Sequence, residues 1–420
     1  MFEDIFEKAA ESICKIQKKD GSWELEAVRH EQPRDYLKQL VLTSQATQTL
    51  ILTGSKKAIP SINKGFFYCL DYELEPNDPL VFWIWKLRIL KYFKDIEKVK
   101  KETTEMTKHI VSKQKSGYWP AFPTTFNLTN FNALIAIHDM CEPSILEKSR
   151  KWFLKNKAKD KIGWGKDEEE KDSWTTFTSN VATALILSGE DPLSKDLTKV
   201  CTYLEKKMLK NGSWASTKYT TKEPTIYATS VATVALMLLS ENPFNEKVEK
   251  GVEFLKKTQL KNGGWPLVKG GKMEIYTTFY AVYTLAFYRH LKNEMSTNSV
   301  KMFSKKLKTQ RVVAFLFKRF EKRMKEELNK NYLGALFSSK MLGSTLNAVS
   351  RRKDILNVLN TKGPKDVAAV IDELKKQDKY SDMNKRHHIT QVKSDLEYLR
   401  SIKVVDKIHD LYYIVFNAEA

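Results

Sequence analysis

Cysteine is scarce in this sequence, and its few copies lie far apart. The four cysteines are Cys14, Cys69, Cys141 and Cys201; none forms a Cys-x-x-Cys pair and none stands beside a histidine. A secreted disulfide scaffold needs a dense and paired cysteine framework, so the sequence argues against that class. We expect buried free thiols in a reducing, cytoplasmic setting.

Long apolar runs are missing as well. No apolar stretch reaches the roughly 18 residues that a membrane-spanning helix needs, so we predict no membrane span. The first residues, MFEDIFEKAAES, are acidic and amphipathic, whereas a signal peptide is basic and then apolar. A chain of 420 residues, 42% of them hydrophobic, is long enough for a large core and for more than one domain.

Acidic residues are in deficit, most clearly towards the C-terminal end. The formal net charge is +20, from 71 basic and 51 acidic residues. Residues 301–350 hold 12 Lys and Arg against three Glu, and residues 351–420 hold 14 against 11. This local excess favours an anionic partner, either nucleic acid or another polyanion. A solubilising lysine-rich composition accounts for the same numbers, because lysine is frequent throughout the chain.

A Gly-x-Trp segment recurs along the first three quarters of the chain. Gln-x3-Gly-x-Trp occurs intact at residues 17–23 and 259–265, and nearly intact at two further places. The segment recurs five times, and the tryptophans of its last four copies are 45, 50 and 51 residues apart. The tryptophans of the first two copies are 96 residues apart, which equals two such periods. The spacing predicts a sixth unit, near residues 65–79, that has lost its turn. We assign a structural role to the five repeat tryptophans, which are Trp23, Trp119, Trp164, Trp214 and Trp265.

Each unit pairs two kinds of helix around this turn. An amphipathic helix such as VEKGVEFLKKTQ precedes it, and a helix that is apolar on nearly all sides, such as SNVATALILSG, follows after a polar linker. Half-buried helices that alternate with buried ones predict an outer and an inner ring. The expected architecture is an all-α, six-hairpin α/α toroid over residues 1–291.

The pattern resembles the QW repeats of squalene–hopene-type terpene cyclases and the related repeats of protein prenyltransferase β subunits. The cyclase resemblance implies an Asp-x-Asp-Asp acid motif on an inner helix, but residues 173–176 and 225–229 contain no aspartate. The prenyltransferase resemblance implies zinc bound by Asp, Cys and His, but residues 274–280 contain neither Cys nor His. We therefore expect no metal and no cofactor, and we assign no catalytic residue.

Aromatic residues recur near the starts of the predicted inner helices. They are suited to hold an apolar or cationic ligand by stacking and cation–π contact, or they simply fill a closed barrel. The acidic run KDEEEKD is either a solvated loop or a source of an acid at the cavity mouth. The candidate cavity residues are Tyr36, Trp83, Phe126, Trp174, Tyr227, Tyr276 and Asp172.

Residues 301–345 form a predicted basic helical connector. Its apolar stripe, Val312, Phe315, Leu316 and Phe320, is expected to dock on another surface. Its outward-facing basic residues suit nucleic acid or an anionic surface, although a connecting helix with a solvated face is the simpler interpretation. The candidates on this helix are Lys305, Lys306 and Arg311.

Residues 346–420 are predicted to form three helices and a β-ribbon. This order resembles a winged-helix domain, whose third helix often enters the major groove of DNA. Winged helices also bind proteins, so a DNA partner and a protein partner both stay open. The candidate nucleic-acid contacts are Lys385, Arg386, Thr390, Gln391 and Lys393.

The sequence favours a non-catalytic toroid coupled to a winged helix that binds nucleic acid or another partner. The toroid is expected to take an apolar ligand, a peptide or a protein. Such a protein suits a regulator or a defence-type factor. Two alternatives stay open, a divergent terpene cyclase or prenyltransferase acting on an isoprenoid, and a protein-interaction scaffold.

Overall fold

A computed structural model describes most of the chain. The described residues are 2–24, 39–93, 97–120, 127–167, 169–216, 223–297, 308–338, 346–377, 392–397, 399–400, 405–408 and 410–414. The chain divides into two compact units, residues 1–92 with 103–323 and residues 93–102 with 324–420. Within the described ranges, no helix combines the length and the apolar character that crossing a bilayer requires.

Twelve helices form the predicted six hairpins. Each inner helix packs against the next, and the last inner helix packs against the first, so the ring is closed. The inner helices are α2 (Gln39–Thr53), α4 (Leu80–Leu90), α6 (Asn127–Ile137), α8 (Thr175–Leu187), α10 (Ile226–Leu239) and α12 (Ile275–Met295). The outer helices are α1 (Phe2–Lys15), α3 (Ile59–Asp71), α5 (Glu97–Ser112), α7 (Pro143–Lys155), α9 (Lys195–Lys207) and α11 (Glu246–Lys257). The all-α toroid is thereby confirmed, including the unit without a Gly-Trp turn.

The inner helices are buried although they contain many hydroxyl groups. In α10, 13 of the 14 residues are buried. The hydroxyls of Thr229, Ser230 and Thr233 each donate to the carbonyl four residues earlier, at 2.7–2.9 Å. These bonds within the helix satisfy the three hydroxyl groups, so these small residues of α10 pack in the interior without an unpaired donor.

All five repeat tryptophans make the same two hydrogen bonds. Each indole Nε1–H donates, at 2.7–2.8 Å, to a carbonyl in the last turn of the preceding outer helix. Each backbone N–H donates to a side-chain oxygen at the start of the following inner helix. The indole thus satisfies a carbonyl that has no partner within its own helix. The acceptors on the inner helices are Thr43, Asn130, Thr178, Thr229 and Thr278.

A lysine takes over this role in the second unit. Lys86 on α4 is buried, and its Nζ donates to Leu70 O at 3.1 Å and to Tyr72 O at 2.7 Å. Both carbonyls lie at the end of α3, where the other units have an indole N–H. The missing tryptophan is therefore replaced by a donor from the inner helix.

The last turn also joins the last unit to the first. Gly263 has φ +98°, and a Cβ there would collide with the carbonyl of Lys8 on α1. Gln259 Nε2 donates to Ile5 O at 2.9 Å and to Gly263 O at 2.8 Å. This contact closes the outer ring between residues that are more than 250 positions apart in sequence.

Helix α13 (Thr309–Ser338) follows the toroid. In the first unit, the rings of Phe317 and Phe320 pack against Phe287 of α12, with centroid distances of 4.7 and 5.3 Å. The docked face was predicted to include Phe315, and this was wrong, since Phe315 is 55% exposed. Phe317 takes its place, because it lies three to four residues from both Val313 and Phe320 and so shares their helix face.

The second unit contains α14 (Leu346–Lys362), α15 (Val367–Lys375), a helical turn at 392–397 and an antiparallel ribbon. The ribbon pairs β1 (Val405–Ile408) with β2 (Leu411–Ile414). The buried carboxylate of Asp395 accepts hydrogen bonds from Arg351 and Arg352 of α14 at 2.6 and 2.7 Å. Lys365, between α14 and α15, forms a bridge with Tyr412 of β2.

The ring closure predicts different effects for two glycines that both have positive φ. Gly263→Ala adds a Cβ against the Lys8 backbone, whereas Gly270→Ala meets nothing within 4 Å. The left-handed conformation costs alanine about 1–2 kcal/mol at either site. We expect Gly263→Ala to lower the free energy of unfolding well beyond that amount, as measured by urea denaturation. Equal losses for the two variants would contradict the assigned closure.

Candidate functional site

The inner ring surrounds a small central cavity. Its volume is about 40 Å³, which is room for about three water molecules. Its walls come from five inner helices and from Phe317 of α13, which belongs to the same unit. The lining residues are Arg88, Ile135, Asn180, Thr183, Leu187, Val231, Val234, Phe279, Tyr280, Tyr283, Thr284 and Phe317.

Arg88 is the charged group of this lining. It projects from α4 and is only 7% exposed. Its guanidinium lies 4.3 Å from the centroid of the Trp85 ring and 5.6 Å from that of Phe279. Nη1 donates a long hydrogen bond, 3.4 Å, to Asn132 Oδ1. Within the described part of the chain, Nε has no hydrogen-bond partner, and no carboxylate lies within ion-pair distance of the guanidinium.

Two other buried cations nearby are satisfied by oxygen atoms. Lys91 Nζ lies 2.5 Å from a carboxylate oxygen of Asp139 and donates to Ala136 O at 3.1 Å. Lys86 donates to the two carbonyls at the end of α3. Both lysines therefore hold helices together. Arg88 differs because it lines the cavity and its Nε has no acceptor among the described residues.

A cluster of three tyrosines adjoins the cavity through Tyr280. The ring centroids of Tyr227, Tyr276 and Tyr280 are 4.7–5.0 Å apart. The hydroxyl of Tyr227 accepts a hydrogen bond from Asn180 Nδ2 at 2.9 Å. Burial raises the pKa of Tyr227 and of Tyr280 above the ordinary value, so both phenols keep their protons and stay potential donors.

The candidate residues from the sequence lie at several places. Tyr227 and Tyr276 meet in the tyrosine cluster. Trp83 and Trp174 are half-buried away from the cavity lining: Trp83 stacks on His109 at 3.9 Å, and Trp174 packs edge-on against Phe177 at 5.7 Å. Tyr36 and Phe126 lie outside the described residues.

Asp172 lies in the half-buried loop before α8, and this loop holds an acid with a perturbed pKa. Burial, and then the charge of Asp167, raises the pKa of Glu170, to which Asp172 adds a smaller effect. A carboxyl group with a raised pKa keeps its proton more readily and is a potential general acid. Neither Glu170 nor Asp172 is part of the cavity lining.

The described C-terminal candidates are Lys393 and Arg311. Lys393 is exposed on the helical turn at 392–397. Arg311 on α13 pairs with Asp191 at 2.7 Å, so its charge is partly neutralised. The described ranges do not include the other candidates, which are Lys305, Lys306, Lys385, Arg386, Thr390 and Gln391.

The sequence-based candidates did not include Arg88, Asn180 or Tyr280. The signal for Arg88 was available, because Arg88 and Lys86 are the two charged residues in the run LVFWIWKLRIL, which is apolar at all its remaining positions. A basic residue in a helix that is apolar all round is expected to point at a partner or a cavity. Asn180 and Tyr280 give no comparable signal, since polar and aromatic residues are spread through the inner helices.

Comparison with known proteins identifies the toroid. Residues 79–320 and 222–360 match the family described as "Prenyltransferase alpha-alpha toroid domain". No curated protein sequence matches the chain significantly.

Solved structures of similar fold belong to enzymes with different substrates. The unsaturated glucuronyl hydrolase from Bacillus sp. GL1 has a TM-score of 0.52 and 11% identity, over 70% of this chain and 97% of the hydrolase. The type II terpene cyclase MstE from Scytonema has a TM-score of 0.48 and 12% identity, over 68% of this chain and 96% of the cyclase. The GH76A α-1,6-mannanase from Salegentibacter sp. HEL1_6 has a TM-score of 0.48 and 14% identity, over 68% of this chain and 98% of the mannanase. At these identities the similarity concerns the fold alone.

Proposed function

Because this chain belongs to the prenyltransferase α/α toroid family, we propose that it uses the family's toroid as a binding module without catalysis. The cavity lining carries this proposal. Among the described residues, the lining offers a guanidinium, hydroxyls, an amide and aromatic rings, but no carboxylate and no imidazole. Such a surface binds and orients a ligand, whereas protonation of an alkene requires an acid that keeps its proton.

The size of the cavity limits the ligand. Pockets for drug-sized molecules are roughly 300–1,000 Å³, and this cavity is about 40 Å³. Phe317 occupies part of the space between the inner helices and packs against Tyr283 at 6.4 Å. A long isoprenoid does not fit while α13 holds this position, so we favour a small ligand.

The C-terminal unit is proposed to bind the partner. The order of helix, bridge, helix, helical turn and ribbon supports the winged-helix interpretation, and the net positive charge of residues 301–420 favours nucleic acid. Helix α13 contributes residues to both units, since the division falls after Arg323.

The second candidate function is a divergent terpene cyclase. The raised pKa of Glu170 favours it, because this group resembles a general acid more than any residue of the cavity lining does. In that case, Glu170 would have to approach the substrate from the loop before α8.

Incubation with geranylgeranyl diphosphate separates the two functions. We expect the purified protein to leave the substrate unchanged, as measured by mass spectrometry of the extracted lipids, because among the described residues no carboxyl group and no imidazole lines the cavity. Turnover that is lost in Glu170→Gln and kept in Glu169→Gln would refute the binding proposal and support the cyclase. Glu169 is a suitable control because it is an exposed neighbour paired with Lys159 at 3.1 Å.

Duplex DNA titrated at several salt concentrations tests the second half of the proposal. We expect the logarithm of the association constant, from fluorescence anisotropy, to fall linearly with the logarithm of salt concentration. Lys393→Glu should weaken binding and reduce the slope by about one, whereas Lys210→Glu, at an exposed site on the toroid, should not. Absence of binding at low salt would contradict a nucleic-acid partner and leave a protein partner.

A further inference from the structure

We propose that the central cavity binds a small carboxylate and that Arg88 is the residue that binds it. This inference rests on the proposed binding role of the toroid and names the class of its ligand.

The first argument is the charge of Arg88. An arginine cannot discard its proton to escape burial, since its pKa stays above about 12. A buried charge without a counter-charge is strongly unfavourable. The ring faces of Trp85 and Phe279, the long bond to Asn132 and the interaction with the Tyr280 hydroxyl compensate it only in part, since none of them carries a full negative charge. An anion in the adjoining cavity supplies the missing charge.

The second argument concerns the free edge of the guanidinium. Nε is fully buried and has no acceptor among the described residues, although the side chain borders a cavity. The N–H groups of a guanidinium form planar forks that match the two oxygens of a carboxylate. Lys86 and Lys91, by contrast, both donate to oxygen atoms of the protein. Arg88 thus differs from both lysines, because it lines the cavity and keeps a buried donor without an acceptor among the described residues.

The other lining groups favour a carboxylate over phosphate. The amide of Asn180 already donates to Thr176 O and to the Tyr227 hydroxyl. The hydroxyls of Thr183 and Thr284 already donate to backbone carbonyls. Besides Arg88, the donors of the lining are then the phenols of Tyr280 and Tyr283, and a phosphate with more charge and three or four oxygens needs more donors than these. A monovalent carboxylate needs only the fork.

The remaining walls set the size and polarity of the rest of the ligand. Ile135, Leu187, Val231 and Val234 are aliphatic, and Phe317 closes the space with an aromatic ring. An acid the size of acetate or propionate fits a space for about three waters. Its carboxylate would meet Arg88 and its alkyl group the apolar wall.

The test is a titration of the full-length protein with sodium acetate and sodium propionate, with sodium chloride keeping the ionic strength constant. We expect a saturable rise in the melting temperature and a calorimetric binding isotherm, because a ligand specific for the folded state stabilises it. In Arg88→Met the affinity should fall by about tenfold or more, as expected for loss of a charge-assisted hydrogen bond. Arg289→Met is the matched control, because Arg289 also stacks on an aromatic ring, that of Phe6, but does not line the cavity.

Arg88→Lys keeps the charge but loses the fork, and it replaces Arg88→Met as the test variant if Arg88→Met does not fold. It should weaken acetate binding while Arg289→Met does not. No response of the wild-type protein beyond that to chloride, or equal responses of Arg88→Met and the wild type, would overturn the site. Equal or tighter binding of sodium phosphate would overturn the carboxylate assignment. Turnover of an isoprenoid diphosphate, in contrast, would refute the proposed function whatever the acetate titration gives.

Discussion

The hydrogen bond from a buried indole to the last turn of an outer helix is the interaction on which this toroid depends. The final carbonyls of a helix have no partner within it, and leaving such a group buried and unpaired costs about 1–3 kcal/mol. A tryptophan placed after a glycine turn supplies the donor and a large apolar surface together. Its own backbone N–H is bound by the next inner helix. One residue thereby joins the outer helix, the turn and the inner helix of each unit.

The second unit shows that this requirement is chemical and not specific to tryptophan. There, Lys86 reaches from the inner helix to the carbonyls of Leu70 and Tyr72. The donor is supplied from the opposite side of the hairpin, so the turn itself no longer needs a tryptophan. This places the ammonium group of Lys86 in the interior, where its hydrogen bonds to the two carbonyls stabilise it. Arg88 lies about half a turn further along α4. It has no comparable set of oxygen acceptors, and for this reason we interpret the cavity beside it as a binding site.

The fold could be predicted from the sequence because its main determinant repeats. Tryptophan spacing near 50 residues, together with alternating amphipathic and apolar helices, indicated the six hairpins and the degenerate unit. The site could be predicted only in part. Tyr227 and Tyr276 were chosen because they stand at inner-helix starts, and they lie in the tyrosine cluster beside the cavity, whereas the cavity itself is lined by residues such as Arg88 and Tyr280. Its position depends on which side chains of five helices converge, and local sequence does not report that.

Helix α13 illustrates a second limit. The apolar stripe was recognised, but Phe315 was chosen where Phe317 is the docked residue. Side chains two positions apart on a helix point in directions that differ by about 200°. An error of two residues in assigning the apolar stripe therefore moves a ring from the interior to solvent. The docking partner, Phe287, is distant in sequence. The position of Phe317 in the cavity wall is therefore a tertiary property that the local pattern does not contain.

Hydrogen exchange of the tryptophan indole N–H groups, followed by NMR, tests the role of the indole bonds most directly. The five repeat indoles are fully buried and hydrogen-bonded, whereas Trp152 is half-buried, with no indole acceptor among the described residues. The account predicts that the indole protons of Trp23, Trp119, Trp164, Trp214 and Trp265 exchange slowly and at similar rates, as groups released only by global unfolding do. The Trp152 indole should exchange much faster. Repeat indoles that exchange as fast as that of Trp152 would contradict the claim that these bonds hold the ring together.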